Sequence, residues 1–127
     1  MAQTVGFIGL GQMGKPMATN ILKKGYALRV YDLNKNTIDY FKELGATACN
    51  NPKEVAEGAD FVITMLPNGK LVSDVVFGAN GFISTLSKDA LYIDMSTINP
   101  YESDEIRACV EVLGKQMMEC PVGRTSA

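Results

Sequence analysis

Six short apolar, strand-like segments alternate with five helical ones along a chain of 127 residues, and that order predicts a doubly wound α/β domain. Two local features agree with it: a glycine-rich turn where the first strand meets the first helix, and an acidic residue closing the second strand. Single-helix connections between strands cross over right-handed and leave a parallel sheet covered on both faces.

The first strand is "TVGFIG", apolar and bounded by glycine. Met13, Met17, Ala18, Ile21 and Leu22 then recur at helical spacing as far as Lys24, with Pro16 in the first turn and Gly25 as the stop. "ALRVYD" is a second strand, followed by a helix near Lys35 to Leu44 that Gly45 ends. "TACN" is a brief third strand. In "NPKEVAEG", Asn51 is the N-cap, Pro52 opens the helix and Gly58 lies past its end.

"DFVITMLP", rich in β-branched and aromatic residues and stopped by proline, is the clearest strand. Residues 69 to 86 read as helical, interrupted by "GANG", and "ALYIDMS" is a fifth strand. "NPYESDEIRACVEVLG" repeats the Asn–Pro start and glycine stop, with Ile106, Cys109, Val110 and Leu113 expected on one face. "KQMMECPV" is the sixth strand. With no internal repeat or linker, residues 1–127 read as a single domain.

A hydrophobic fraction of 46% and a charged fraction of 20% fit a globular chain with a real core. The net charge of −2 and the scattered Lys and Arg argue against nucleic acid or an anionic membrane surface as partner. No apolar run is long enough to span a bilayer, and the N-terminus lacks the basic flank of a signal peptide. Cys49, Cys109 and Cys120 are odd in number and lack a C-x-x-C pair, so neither a zinc site nor a disulfide framework is expected. Each is expected to be a small buried residue in a reduced, cytoplasmic setting. The chain has no histidine, which excludes a histidine base, a histidine-bearing triad or a histidine-ligated metal within it.

Gly9, Gly11 and Gly14 form G-x-G-x-x-G in the strand–loop–helix context that a dinucleotide requires. Gly9 is assigned the tight turn, Gly11 the approach of a pyrophosphate to the backbone, and Gly14 the close packing of helix on strand. The free amides of the helix start, those of Gln12 and Met13, face the phosphates. Asp32 stands 18 residues beyond Gly14, near the spacing of an acid that binds the adenosine ribose. Its carboxylate would repel a 2′-phosphate, which favours NAD over NADP, although Lys35 could soften the repulsion.

"FIGLGQMGKPMA", "TMLPN", "IDMSTINP" and "CPVG", in that order, resemble the motifs of the β-hydroxyacid dehydrogenase family, which includes 3-hydroxyisobutyrate dehydrogenases and tartronate semialdehyde reductases. The resemblance implies a Rossmann-type fold and places Met65, Leu66 and Pro67 along the cofactor. It also implies that Ser96 and Thr97 flank the nicotinamide and its ribose. Most members read P-V-S-G-G after the sixth strand, whereas "PVGRTSA" puts Arg124 at a glycine position. That ending looks like the sulfolactaldehyde reductases, which reduce 3-sulfolactaldehyde to 2,3-dihydroxypropane-1-sulfonate with NADH. By that resemblance Arg124 grips a sulfonate and Thr125 adds a donor, since a guanidinium is a fixed fork of donors that never loses its charge.

The family's proton donor is a lysine in a helical C-terminal domain, to which no segment of the chain corresponds. Lys15, Lys70, Lys88 and Lys115 read as surface charges, so no catalytic residue is assigned. The expectation is therefore a cofactor-binding part of a reductase, cut at its substrate loop, binding NAD but turning over no substrate alone. Its substrate would be a small anionic aldehyde or hydroxyacid, and the full-length enzyme a homo-oligomer. A carboxylate-specific dehydrogenase of the 3-hydroxyisobutyrate or tartronate type, and a non-catalytic NAD-binding module, are the alternatives.

Overall fold

The structure is a computed structural model that describes residues 3–121. Along the chain run β1 (Thr4–Ile8), α1 (Gly14–Lys23), β2 (Ala27–Tyr31), α2 (Lys35–Glu43), β3 (Thr47–Ala48) and α3 (Pro52–Ala56). Then come β4 (Phe61–Thr64), α4 (Gly69–Phe77), β5 (Leu91–Asp94), α5 (Pro100–Val112) and β6 (Gln116–Glu119). The sheet order is β3-β2-β1-β4-β5-β6, and every neighbouring pair is parallel. This is the doubly wound α/β fold expected from the alternation of elements.

Side chains alternate between the two faces of the sheet, and because helices cover both faces, β1 and β4 are buried on consecutive residues and the core splits into two layers. On one face Val5, Phe7, Val30 and Ile63 pack with Ala18 of α1 and Phe41 of α2. On the other, Ile8, Val62 and Tyr92 pack with Val55 of α3, Val72 and Val76 of α4, and Ile106 and Val110 of α5. Phe82 and Tyr92 meet edge to face at 4.9 Å within this second layer.

Four helices begin on an asparagine whose side chain accepts a first-turn amide: Asn34 from Asn36, Asn51 from Glu54, Asn68 from Leu71 and Asn99 from Tyr101. The sequence pattern anticipates Asn51 and Asn99, each followed by proline. In α1 the cap position is Met13, and no side chain bonds its first turn.

Two expectations are corrected, the inward face of α5 and the burial of two cysteines. The helical stretch expected across residues 69 to 86 is interrupted at "GANG" as expected, with α4 ending at Phe77 and a 3-10 turn, Phe82–Ser84, following. The chain doubles back there so tightly that a Cβ on Gly81 would stand 2.4 Å from the Val76 carbonyl oxygen. On α5 the inward residues are Ser103, Ile106 and Val110, while Cys109 and Leu113 are exposed. At about 100° per residue Cys109 falls to the side of that stripe, and Leu113 lies past its last turn.

The cysteines also divide: Cys49 is buried as expected, but Cys109 and Cys120 are exposed. Burial is the main cause that raises the pKa of the Cys49 thiol, so it is both shielded and a poor nucleophile. A thiol reagent is expected to modify two cysteines in the native protein and the third only after unfolding, as a mass shift would show.

Candidate dinucleotide cleft

The sheet order reverses between β1 and β4, whose chains leave in opposite directions at their carboxyl ends, and a crevice opens there. Gly9, directly after β1, has φ +101°, and a Cβ on it would lie 2.1 Å from the Met65 carbonyl oxygen. The ends of β1 and β4 are therefore in backbone contact. A Cβ on Gly14 would come within 2.0 Å of the Gly9 oxygen, so α1 starts hard against the turn. Gly11 differs, because a Cβ there would meet no atom within 4 Å. It faces the open cleft.

Two lobes make up this cleft. One, of about 400 Å³, lies between the Gly11–Gly14 loop and the segments Met65–Pro67 and Met95–Thr97. The other, of about 450 Å³, runs from Gly9 and Asp32 past Leu33 to Pro52, Leu71 and Val75. Gly11 and Met65–Pro67 line both. Gly9, Gly11, Gln12, Met13, Gly14, Asp32, Met65, Leu66, Pro67, Ser96 and Thr97 are thus brought to one cleft. Arg124 and Thr125 lie outside the described residues.

Next to Gly11, on the wall of the first lobe, the amides of Gln12 and Met13 make no hydrogen bond with any described residue, while Lys15 N–H already bonds the Gly11 carbonyl at 2.9 Å. Unpaired amides at a helix start, without a side-chain cap and beside the open space at Gly11, suit an anionic group such as a diphosphate. The residues present therefore fit a dinucleotide.

Asp32 has a structural duty as well. Its Oδ2 accepts the Leu10 amide at 2.5 Å and its Oδ1 the Asn34 amide at 2.9 Å, tying the glycine turn to the start of α2. Each carboxylate oxygen can accept a second bond, so acceptors remain for hydroxyls in the adjoining lobe. Lys35 is exposed and makes no ion pair with a described residue.

Ser96 is buried, and its Oγ accepts the Leu66 amide at 2.8 Å, joining the two loops that face Gly11. Helix α5 is capped by Asn99 rather than by Ser96 or Thr97. Lys15 sits 4.2 Å over the Tyr40 ring and Lys70 pairs with Asp74 at 3.1 Å on the surface. Lys115 Nζ bonds the Leu86 carbonyl. No lysine lines either lobe among the described residues, which also contain no cluster of acidic or cysteine ligands for a metal.

Leu33, Pro52, Leu71 and Val75, the apolar wall of the second lobe, escape the sequence motifs. One signal was available. Leu33, 84% exposed in the structure, directly follows the acid at the carboxyl end of β2, the edge of an open α/β sheet at which ligands sit.

Residues 4–127 match a family described as the NAD binding domain of 6-phosphogluconate dehydrogenase. Over 123 residues the chain is 53% identical to 3-sulfolactaldehyde reductase of Escherichia coli (strain K12), covering 97% of this chain and 41% of that protein. It is 48% identical over 118 residues to mitochondrial 3-hydroxyisobutyrate dehydrogenase of Mus musculus, covering 93% of this chain and 35% of the mouse protein. The chain thus spans about two fifths or less of the length of these relatives. Mycobacterium tuberculosis 3-hydroxyisobutyrate dehydrogenase, solved with L-serine, superposes with a TM-score of 0.89 at 31% identity, over 98% of this chain and 42% of that one. The resemblance to 3-hydroxyacid dehydrogenases, expected from four motifs, is borne out, and so is NAD as the family's cofactor.

Proposed function

Because this chain belongs to the NAD-binding-domain family of 6-phosphogluconate dehydrogenase, we propose that its two-lobed cleft holds NAD and serves the reduction of a small anionic aldehyde. The observation that carries this reading is the pairing of open space at Gly11 with the free amides of Gln12 and Met13. The diphosphate rests on those amides. The adenosine lies in the apolar lobe, with Asp32 accepting its ribose hydroxyls and Leu33 against its base. The nicotinamide half extends toward Ser96 and Thr97, with Met65, Leu66 and Pro67 along the dinucleotide.

When bound, NADH supplies the hydride. The described residues that would orient it are those of the Met65–Pro67 and Met95–Thr97 loops, at the carboxyl ends of β4 and β5. None of them is assigned the proton transfer to the developing alkoxide, so the chain supplies the cofactor-binding part of the enzyme. As one domain over residues 1–127, it should bind NAD by itself without turning over substrate.

Asp32 gives the direct test. NAD should bind at least about tenfold more tightly than NADP in calorimetry, because a 2′-phosphate would be brought against the carboxylate. Equal affinities would mean that Asp32 does not read the ribose.

For the substrate, 3-sulfolactaldehyde is favoured by the 53% identity to the Escherichia coli reductase and by Arg124. The 48% identity to the mouse dehydrogenase keeps a carboxylate substrate as the second reading. Arg124→Gly, in the complete enzyme that carries this chain, should lower kcat/KM for the sulfonate aldehyde by roughly tenfold or more relative to its carboxylate analogue. An unchanged preference would exclude the sulfonate role of Arg124.

A further inference from the structure

We propose that a buried hydrogen-bonded chain, Tyr92–Thr64–Asp94–Ser96–Leu66, is the positioning device that sets the nicotinamide side of the cleft. It rests on the NAD-binding reading above and adds residues to which that reading gives no part: Tyr92, Thr64 and Asp94.

All three polar side chains at its inner end are buried, with Thr64 and Tyr92 0% exposed and Asp94 2%. Thr64 Oγ1 lies 2.7 Å from the Tyr92 hydroxyl and 2.9 Å from Asp94 Oδ1. The same Oδ1 accepts the Ser96 amide at 3.0 Å, and Ser96 Oγ accepts the Leu66 amide at 2.8 Å. Direction follows from counting protons. A threonine hydroxyl has one, and it goes to the carboxylate, so Tyr92 must donate to Thr64. Burial first, and the Asp94 charge second, push the Tyr92 hydroxyl well above its ordinary pKa and keep it a donor.

Nothing in packing alone asks for a carboxylate here. An aliphatic residue would avoid the desolvation of a buried charge, which is tolerated only when its partners are in place. What the carboxylate does is hold the backbone of Ser96 just past the sheet. The β4–β5 ladder ends with Met95 N–H bonded to the Thr64 carbonyl at 2.8 Å. Beyond that point the loops Met65–Pro67 and Met95–Thr97 line the same lobe, and the Ser96–Leu66 bond joins them. Asp94 fixes Ser96 from below, Ser96 fixes Leu66, and the width of the lobe facing Gly11 follows. Of the members of this chain only Leu66 also lines the adenosine lobe, which otherwise rests on Asp32, Leu33 and Pro52, so a ligand confined to that lobe meets the chain at its last member alone.

The experiment compares two ligands on the unaltered chain, Thr64→Val and Thr64→Ser: NADH by its fluorescence and ADP by calorimetry. Thr64→Val keeps the shape and deletes the hydroxyl. It should raise the Kd for NADH about tenfold, the equivalent of one lost buried hydrogen bond, and leave that for ADP within about twofold. Thr64→Ser should restore NADH binding. Loss of both ligands in parallel, no loss of NADH, or a serine variant as weak as the valine variant would overturn the proposal. If Thr64→Val does not fold, Ser96→Ala breaks the chain at its cleft end and is judged on the same split. Failure of the unaltered chain to bind either ligand would overturn the NAD reading itself. Binding of both with no split in any variant would overturn the positioning role alone.

Discussion

Gly11→Ala is expected to weaken NAD binding roughly a hundredfold while leaving the melting temperature within about 2 °C of the parent. The added methyl meets no atom within 4 Å, so the fold has no reason to respond. It does project into the space where a diphosphate must approach the Gln12 and Met13 amides. Losing two charge-assisted hydrogen bonds, at about 1.5 kcal/mol each, gives the stated factor. Calorimetric titration with NAD and a thermal melt on the same sample check both halves of the expectation.

Gly9→Ala should do the reverse and damage the fold before it reaches any ligand. Its Cβ would lie 2.1 Å from the Met65 carbonyl oxygen, and its φ of +101° is one that an alanine adopts only under strain. Backbone strain and overpacking each cost about 1–3 kcal/mol, so a total near 3–5 kcal/mol is expected. For a domain of this size that is a fall of roughly 10–20 °C in Tm. Gly14→Ala should behave similarly, with its Cβ 2.0 Å from the Gly9 oxygen. The three glycines of one motif are therefore separable by experiment: two hold the turn, and the middle one leaves room.

The legibility of this chain in its sequence follows the range of the forces involved. β4 is readable because "FVIT" is β-branched and aromatic, and α3 and α5 because Asn–Pro marks a helix start by local chemistry. The glycine loop and Asp32 are readable because their spacing is imposed by one strand–helix–strand unit. Tertiary facts were harder. The chain reversal at Gly81 depends on where α4 ends in space, so "GANG" alone suggested an interrupted helix. Cys109 is apolar enough to pass for core, and only the packing of Ile106 and Val110 fixes which side of α5 turns inward. Asp94 shows the limit most clearly. Within "ALYIDMS" it looks like the polar end of a strand, and its bond to Thr64, 30 residues away, belongs to strand pairing that no local pattern states.

Amide chemical shifts of the chain, followed by heteronuclear NMR as NAD is added, test the cleft most directly. Saturable shifts centred on Gly11, Gln12 and Met13, with Asp32 and Leu33 following and α5 unmoved, are the predicted result. A well-folded chain whose Gly11–Met13 amides stay in place at saturating NAD would contradict it.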